Sequence, residues 1–229
     1  MGSDDLFEPL RRQLLSEVAA QLTVLGAQLG CRMLSERVML AMERVPRHEF
    51  VPAEVKPFAY MNTPLPIGCG KTISQPFIVA LMTELLALDP GHRVLEIGTG
   101  LGYQAAILAA LVRDVYSVEL IPELSAAASR RLGRLGYRNV HLRVGNGRLG
   151  WPEHAPFDRI IVTTAPDLIP PVLLQQLKPG GKMMIPTGIP DQQKLLLVER
   201  DDAGRTTTRE ILAVRFSEME EDTGPGGTS

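Results

Sequence analysis

The chain has 229 residues, of which 45% are apolar and 22% charged, and its formal net charge is −2. That length suits one sizeable α/β core, alone or with a small appended element, and the composition is that of an ordinary soluble globular protein. So balanced a charge gives no electrostatic case for nucleic acid or an anionic membrane surface as partner.

Residues 1–92 are expected to form an N-terminal helical segment with a loop, packed on the core. Leu10 to Leu29 carries apolar residues at helical spacing and stops before Gly30. Ser35 to Val45 repeats the pattern, with Ser35 as cap and Pro46 as stop. Phe50 to Cys69 holds Pro52, Pro57, Pro64 and Pro66 and reads as extended or irregular. A helix is expected from Pro76 to Leu88, ahead of the turn signal Asp89-Pro90-Gly91. From Arg93 the rhythm becomes alternating strands and helices. Strands are predicted at Val94–Ile97, Asp114–Glu119, Val140–Val144, Arg159–Thr163, Lys182–Pro186, Leu195–Glu199 and Glu210–Phe216, and helices at Gln104–Val112, Pro122–Leu135 and Pro170–Leu177. This predicts a doubly wound, Rossmann-like α/β core over residues 93–216, with a mostly parallel central sheet and an antiparallel end. Residues 217–229 are acidic, then glycine-rich, and are read as a disordered tail.

Cys31 and Cys69 lack metal or disulfide spacing and are expected to be buried thiols. The four histidines are scattered, so no metal site is expected. Met1 to Leu15 has no apolar core of the secretory kind, and no charge-free apolar run reaches spanning length. A cytoplasmic monomer is the expectation.

The stretch Val94 to Tyr103, VLEIGTGLGY, carries the chemistry. It places a strand, an acid, glycines at Gly98, Gly100 and Gly102, and a helix start in succession. Such a turn lets a ligand approach bare backbone at a helix N-terminus. Dinucleotide enzymes use G-x-G-x-x-G, but here the third glycine comes one residue early and Tyr103 stands in its place. Glu96 beside the turn would repel a pyrophosphate and favour a cation. S-adenosylmethionine, with its sulfonium and ammonium and no phosphate, fits that pattern. Glu119 ends the next strand, about twenty residues on, where an acid can hold both ribose hydroxyls. Asn146, in VGNG, stands where its amide can meet an adenine edge. Alone, Glu119 is an ordinary strand-end acid and Asn146 an ordinary turn former; in this order the three read as a methyltransferase.

One further stretch, LPIGCGKTISQP (Leu65 to Pro76), is unusual for a connecting loop. Together with RVPRHEFVP (Arg44–Pro52), AYMNTPLPIG (Ala59–Gly68), VLEIGTGLGYQAAILA (Val94–Ala109), GWPEHAPFDRIIVTTAP (Gly150–Pro166) and QLKPGGKMMIPTG (Gln176–Gly188), it resembles the protein-L-isoaspartate O-methyltransferases. The resemblance spans roughly Val38 to Phe216, and the TISQP element is its most specific part. It implies a repair enzyme that methylates the abnormal carboxyl of L-isoaspartyl residues in damaged proteins and peptides. The family's active-site serine falls on Ser74, with Thr72 and Ile73 lining the same cleft. By the same resemblance Thr72, Ile73, Glu96, Gly98, Thr99, Gly100, Gly102, Glu119, Leu120, Asn146 and Gly147 fall on cofactor positions, and Thr72, Ile73 and Ser74 on substrate positions.

Three departures from the family pattern stand out. Asn146 replaces a usual Asp, Lys71 a usual Gln, and Phe216 leads into Ser217-Glu218-Met219-Glu220 where the family continues in an apolar Val-Pro-Leu run. Lys71 either attracts a carboxylate of substrate or cofactor, or is simply solvated. His48 is read as structural, and Trp151 as packing near the site. Other functions compatible with the residues are a methyltransferase of the same fold with another acceptor, a cofactor-binding homologue with reduced activity, and, least supported, a dinucleotide oxidoreductase.

Overall fold

The computed structural model describes residues 6–220. Its N-terminal helices end where local chemistry ends them. Helix α1 (Glu8–Leu29) stops at Gly30, whose φ of +71° closes the last turn, and it buries Leu14, Leu15, Val18, Leu22 and Leu29 along one stripe. Helix α2 (Glu36–Arg44) starts at Ser35, whose hydroxyl accepts the Val38 N–H at 3.4 Å. Two 3₁₀ turns follow, at Arg47–Phe50 and Ala53–Phe58.

The proline-rich segment then ends in a hairpin that the sequence reading did not predict. Strands β1 (Leu65–Gly68) and β2 (Lys71–Ile73) pair antiparallel. Cys69 and Gly70 form the turn between them, with φ of +51° and +67°. Cys69 is therefore exposed at a hairpin tip and Cys31 is only partly buried, which corrects the expectation of two buried thiols. Helix α3 (Pro76–Leu85) stops three residues before the expected Leu88. Arg159 donates to the carbonyls of Leu86 (2.5 Å) and Ala87 (3.2 Å), and Arg37 to that of Leu88 (2.9 Å). These cations hold the carbonyls of the three residues that follow the helix, and Ala87 turns to φ +49°.

The predicted alternation builds a seven-stranded sheet. Its strands are β3 (Arg93–Ile97), β4 (Asp114–Glu119), β5 (Val140–Val144), β6 (Phe157–Val162), β7 (Leu177–Thr187), β8 (Gln193–Arg200) and β9 (Thr206–Val214), in the order β5-β4-β3-β6-β7-β8-β9. The first five neighbours are parallel, and β8 and β9 are antiparallel. Helices α4 (Tyr103–Ala109), α5 (Pro122–Arg134) and α6 (Pro171–Gln175) connect parallel strands. Successive strand residues feed opposite faces, as the two-residue period requires. Val94, Val115, Ile161 and Met184 join the core with α1 to α5, whereas Leu95, Tyr116, Ile160 and Met183 pack with α6 on the other side. Ile160 and Ile161 are both fully buried, so both faces are covered. No helix among the described residues is long and apolar enough to cross a membrane.

The chain beyond β9 departs from the disordered-tail expectation over residues 217–220. The Gln193 amide clamps Phe216 from both sides (2.6 and 3.1 Å). Ser217 O accepts the Ala165 N–H and Met219 N–H donates to Ala165 O, both at 2.8 Å. The Met219 side chain is buried in the second core. Residues 221–229 of that expectation lie outside the described residues.

Glu96 sits in the middle of the sheet, opposite Ser117 of β4, and is completely buried. The Ser117 hydroxyl donates to its Oε2 at 2.5 Å, while Oε1 has no partner. Burial pushes its pKa up to about 8, the Ser117 hydrogen bond opposing and the Glu119 charge reinforcing the rise. The folded chain thus keeps a proton that the unfolded chain releases near pH 4.5, and stability is lost as pH rises from there through about 8. Glu96→Gln, neutral at every pH, is expected to show a smaller fall in Tm than the parent between pH 6 and pH 9. Parallel curves in thermal melts would show that Glu96 is ionised in the fold.

Candidate active site

After β5 the chain crosses to the far side of β3 to form β6, so the carboxyl ends of β3 and β6 diverge at a topological switch point. A cleft opens there, enclosing about 890 Å³ with its solvent-open mouth included. Its floor is the turn after β3. Gly98 N–H donates to Val118 O at 2.9 Å, and the Thr163 hydroxyl donates to Gly98 O at 2.7 Å. A Cβ on Gly98 would lie 2.5 Å from that hydroxyl at a φ of +94°, so only glycine fits. Gly100 faces the cleft at φ +56°, and a Cβ there would close to 3.1 Å from Ile67 of the hairpin. The turn is thus bare backbone on the side open to a ligand.

Glu119, at the end of β4, forms the adjoining wall. Its Oε2 accepts the Gly100 N–H at 2.7 Å and its Oε1 the Ile121 N–H at 3.1 Å. Each oxygen keeps a lone pair for another donor. Burial raises its pKa, against which the N–H groups of Ile121, Gly100 and Leu120 and the Lys71 ammonium act. Thr99 extends the same polar network, its hydroxyl 2.6 Å from that of Ser117.

Facing the glycine turn is the hairpin exit. Thr72, Ile73 and Ser74 line the cleft, and Ser74 sits between β2 and the start of α3. Asn62 holds that junction. Its side-chain oxygen accepts the Phe77 N–H and its backbone carbonyl accepts the Gln75 amide, both at 3.0 Å. The ordered C-terminal segment Ser217–Glu220 makes the third wall. Lys71 is not simply solvated: its ammonium lies 2.5 Å from a Glu220 carboxylate oxygen at the cleft mouth.

Most of the residues picked from the sequence meet here. Gly98, Thr99, Gly100, Glu119, Leu120 and Gly147 line the cleft together with the three hairpin residues. Three others do not. Gly102 lies behind the wall as the left-handed cap of α4 (φ +95°). Glu96 is buried beneath the floor, where burial favours its neutral form, and it does not line the cleft; Glu119 is the carboxylate in the β3–β4 wall. The Asn146 side-chain oxygen is taken by the Arg148 N–H at 2.9 Å, which makes it a turn former while its neighbour Gly147 reaches the cleft. His48 is buried, 2.9 Å from the Tyr60 hydroxyl and stacked on Phe7 at 4.2 Å, as a structural residue. Trp151 packs edge-on against Tyr116 on the second sheet face, away from the cleft lining. The sequence reading assigned nothing to Asn62 or Arg47, because neither a lone Asn in a proline-rich loop nor an Arg in a 3₁₀ turn carries a spacing signal. Among the described residues lining the cleft there is no histidine or cysteine.

The chain is similar to known proteins over most of its length. The family model described as protein-L-isoaspartate(D-aspartate) O-methyltransferase matches residues 25–223. A protein-L-isoaspartate O-methyltransferase 1 from Polaromonas sp. is 59% identical over 220 residues, covering 96% of this chain and 93% of the relative. A protein-L-isoaspartate O-methyltransferase 2 from Syntrophobacter fumaroxidans is 55% identical, covering 94% and 87%. Among solved structures, a protein-L-isoaspartate O-methyltransferase superposes with a TM-score of 0.79 at 31% identity, over 92% of this chain and 67% of the other. A Plasmodium falciparum protein described as a putative member, in complex with S-adenosyl-L-homocysteine, shares the fold at a TM-score of 0.74 and 22% identity, over 89% and 97%. With a family match across most of its length, the chain belongs to the protein-L-isoaspartate(D-aspartate) O-methyltransferase family.

Proposed function

We infer that this chain moves a methyl group from S-adenosylmethionine to the free carboxyl of L-isoaspartyl residues in damaged proteins and peptides. The observation that carries the reading is the opposition, across one cleft, of the bare glycine turn beside Glu119 and the hairpin exit bearing Ser74. Bound S-adenosylmethionine supplies a methyl group on a positively charged sulfur. In this reading Glu119 uses its remaining lone pairs on the ribose hydroxyls, the Gly98–Gly102 turn admits the ligand to bare backbone, and Gly147 and Leu120, which line the cleft, flank the base.

The acceptor needs no strong base. A carboxylic acid with a pKa of about 4 is already ionised at neutral pH. That accords with a cleft lined by no histidine among the described residues. The work left to the protein is alignment and exclusion of water. Ser74, by donating its hydroxyl proton in a hydrogen bond, orients the carboxylate and does not act as a covalent nucleophile. The wall from Ser217 to Glu220 and the Lys71–Glu220 pair narrow access from solvent.

Asn146 deserves its own test. Its oxygen already accepts the Arg148 N–H and its other terminal group is a donor NH₂, whereas an aspartate would offer a second acceptor oxygen to an adenine amino group. Asn146→Asp is therefore expected to tighten S-adenosylhomocysteine binding by about threefold or more in calorimetric titration; equal or weaker affinity would remove this side chain from the base's surroundings. The reaction itself is checked with tritiated methyl donor. An isoaspartyl peptide should be labelled and its aspartyl counterpart not, and Ser74→Ala should lose about tenfold or more of the rate at unchanged S-adenosylhomocysteine affinity. Equal labelling of both peptides would point to a different acceptor.

A further inference from the structure

Arg47 is fully buried in the first 3₁₀ turn, yet it lines no part of the cleft. Its guanidinium spans two segments that are distant in sequence. Nε donates to Ala59 O at 2.9 Å and Nη2 donates to Ser74 O at 2.8 Å. Its Cζ stands 4.9 Å from the centroid of the Tyr103 ring. Tyr103 is the first residue of α4, directly after the glycine turn, and it lines the cleft. One side chain therefore touches the loop before the hairpin, the backbone of Ser74 and the helix that begins at the cofactor turn.

The energetics make this an unusual choice for simple filling. Arg47 forms no ion pair with a carboxylate among the described residues, and its Nη1 is buried without a hydrogen bond of full geometry. Burial lowers its pKa to about 10, so it stays charged at neutral pH. A cation buried without a counter-ion is costly, and an apolar side chain of similar volume would fill the space more cheaply. What an apolar residue cannot do is hold two carbonyls in one planar fork.

We propose that Arg47 is a positioning residue for the methyl transfer: it clamps the Ser74 carbonyl against the Tyr103 end of the cofactor turn and so fixes where the Ser74 hydroxyl meets the acceptor carboxylate. This rests on the reading that Ser74 orients that carboxylate. The turn carrying Arg47 is itself anchored. Glu49, two residues on, pairs with Lys56 at 2.9 Å and with Arg134 of α5 at 2.5 Å, and its backbone carbonyl accepts from Arg131 at 3.1 Å. The clamp is thus fastened to helix α5. A displacement of Ser74 by even a fraction of an ångström would degrade alignment, and misplacement of about 1 Å can cost on the order of a hundredfold in rate.

The test is a coupling cycle of Arg47→Lys and Arg47→Gln, each alone and with Ser74→Ala. Rates on an isoaspartyl peptide are divided by the concentration of S-adenosylhomocysteine sites counted by calorimetry. Arg47→Lys should lower kcat about tenfold or more, hold S-adenosylhomocysteine affinity within about twofold, and add little further loss on top of Ser74→Ala. Losses that multiply in the double variant, or an unchanged kcat in Arg47→Lys, would overturn the proposal. So would an Arg47→Lys protein that no longer folds or binds S-adenosylhomocysteine, since that result assigns Arg47 a general structural role. If Arg47→Gln fails to fold, the lysine variant decides alone. A parent protein that binds S-adenosylhomocysteine but labels no isoaspartyl peptide would instead refute the functional reading beneath it.

Discussion

The hydrogen bond from the Gly100 N–H to the Glu119 carboxylate, 2.7 Å long, ties the turn after β3 to the end of β4. The site depends on that tie. A glycine turn alone is a flexible loop with unsatisfied N–H groups. Fastened at Gly98 to Val118 O and Thr163, and at Gly100 to Glu119, it becomes a rigid floor. The same carboxylate keeps acceptor capacity toward the cleft, so one group both shapes the floor and offers itself to a ligand.

Around this floor the fold assembles walls from parts with different origins. The parallel strands supply the floor and the β4 end because a doubly wound sheet leaves a crevice at its switch point. The N-terminal layer supplies the opposite wall, through the β1–β2 hairpin and the α3 junction that Asn62 and Arg47 hold in place. The segment after β9 supplies the third, seated by Gln193 and Met219. Each wall reaches the cleft through contacts between residues far apart in sequence.

That division explains how much could be read in the chain. The strands were legible because Asp114–Glu119 is a short, mostly buried run and Val140–Val144 an alternating edge strand, both between turn signals, and both fall where the pattern put them. The glycine turn and Glu119 were legible because their spacing is dictated by local geometry. The hairpin was hidden by Pro64 and Pro66, which argue against a strand unless it is short and at an edge. The end of α3 depends on Arg37 and Arg159, one from an earlier helix and one from a later strand, which no local window contains. Glu96 precedes the turn as its sequence position implies, but its complete burial, which favours the neutral form, has no sequence signal. Residues 217–220 have the composition of a tail, and tertiary contacts, the Ala165 backbone bonds and the seat for Met219, order them. Arg47 is silent in sequence because its role is a bridge between two carbonyls, and carbonyls leave no sequence signature.

The most direct test of the account is a crystal structure of the protein with S-adenosylhomocysteine bound. The account predicts the adenosyl group over the Gly98–Gly102 turn, with its ribose hydroxyls hydrogen-bonded to Glu119 and the sulfur directed toward Ser74. An adenosyl group seated elsewhere, or a ribose held by a residue other than Glu119, would contradict it.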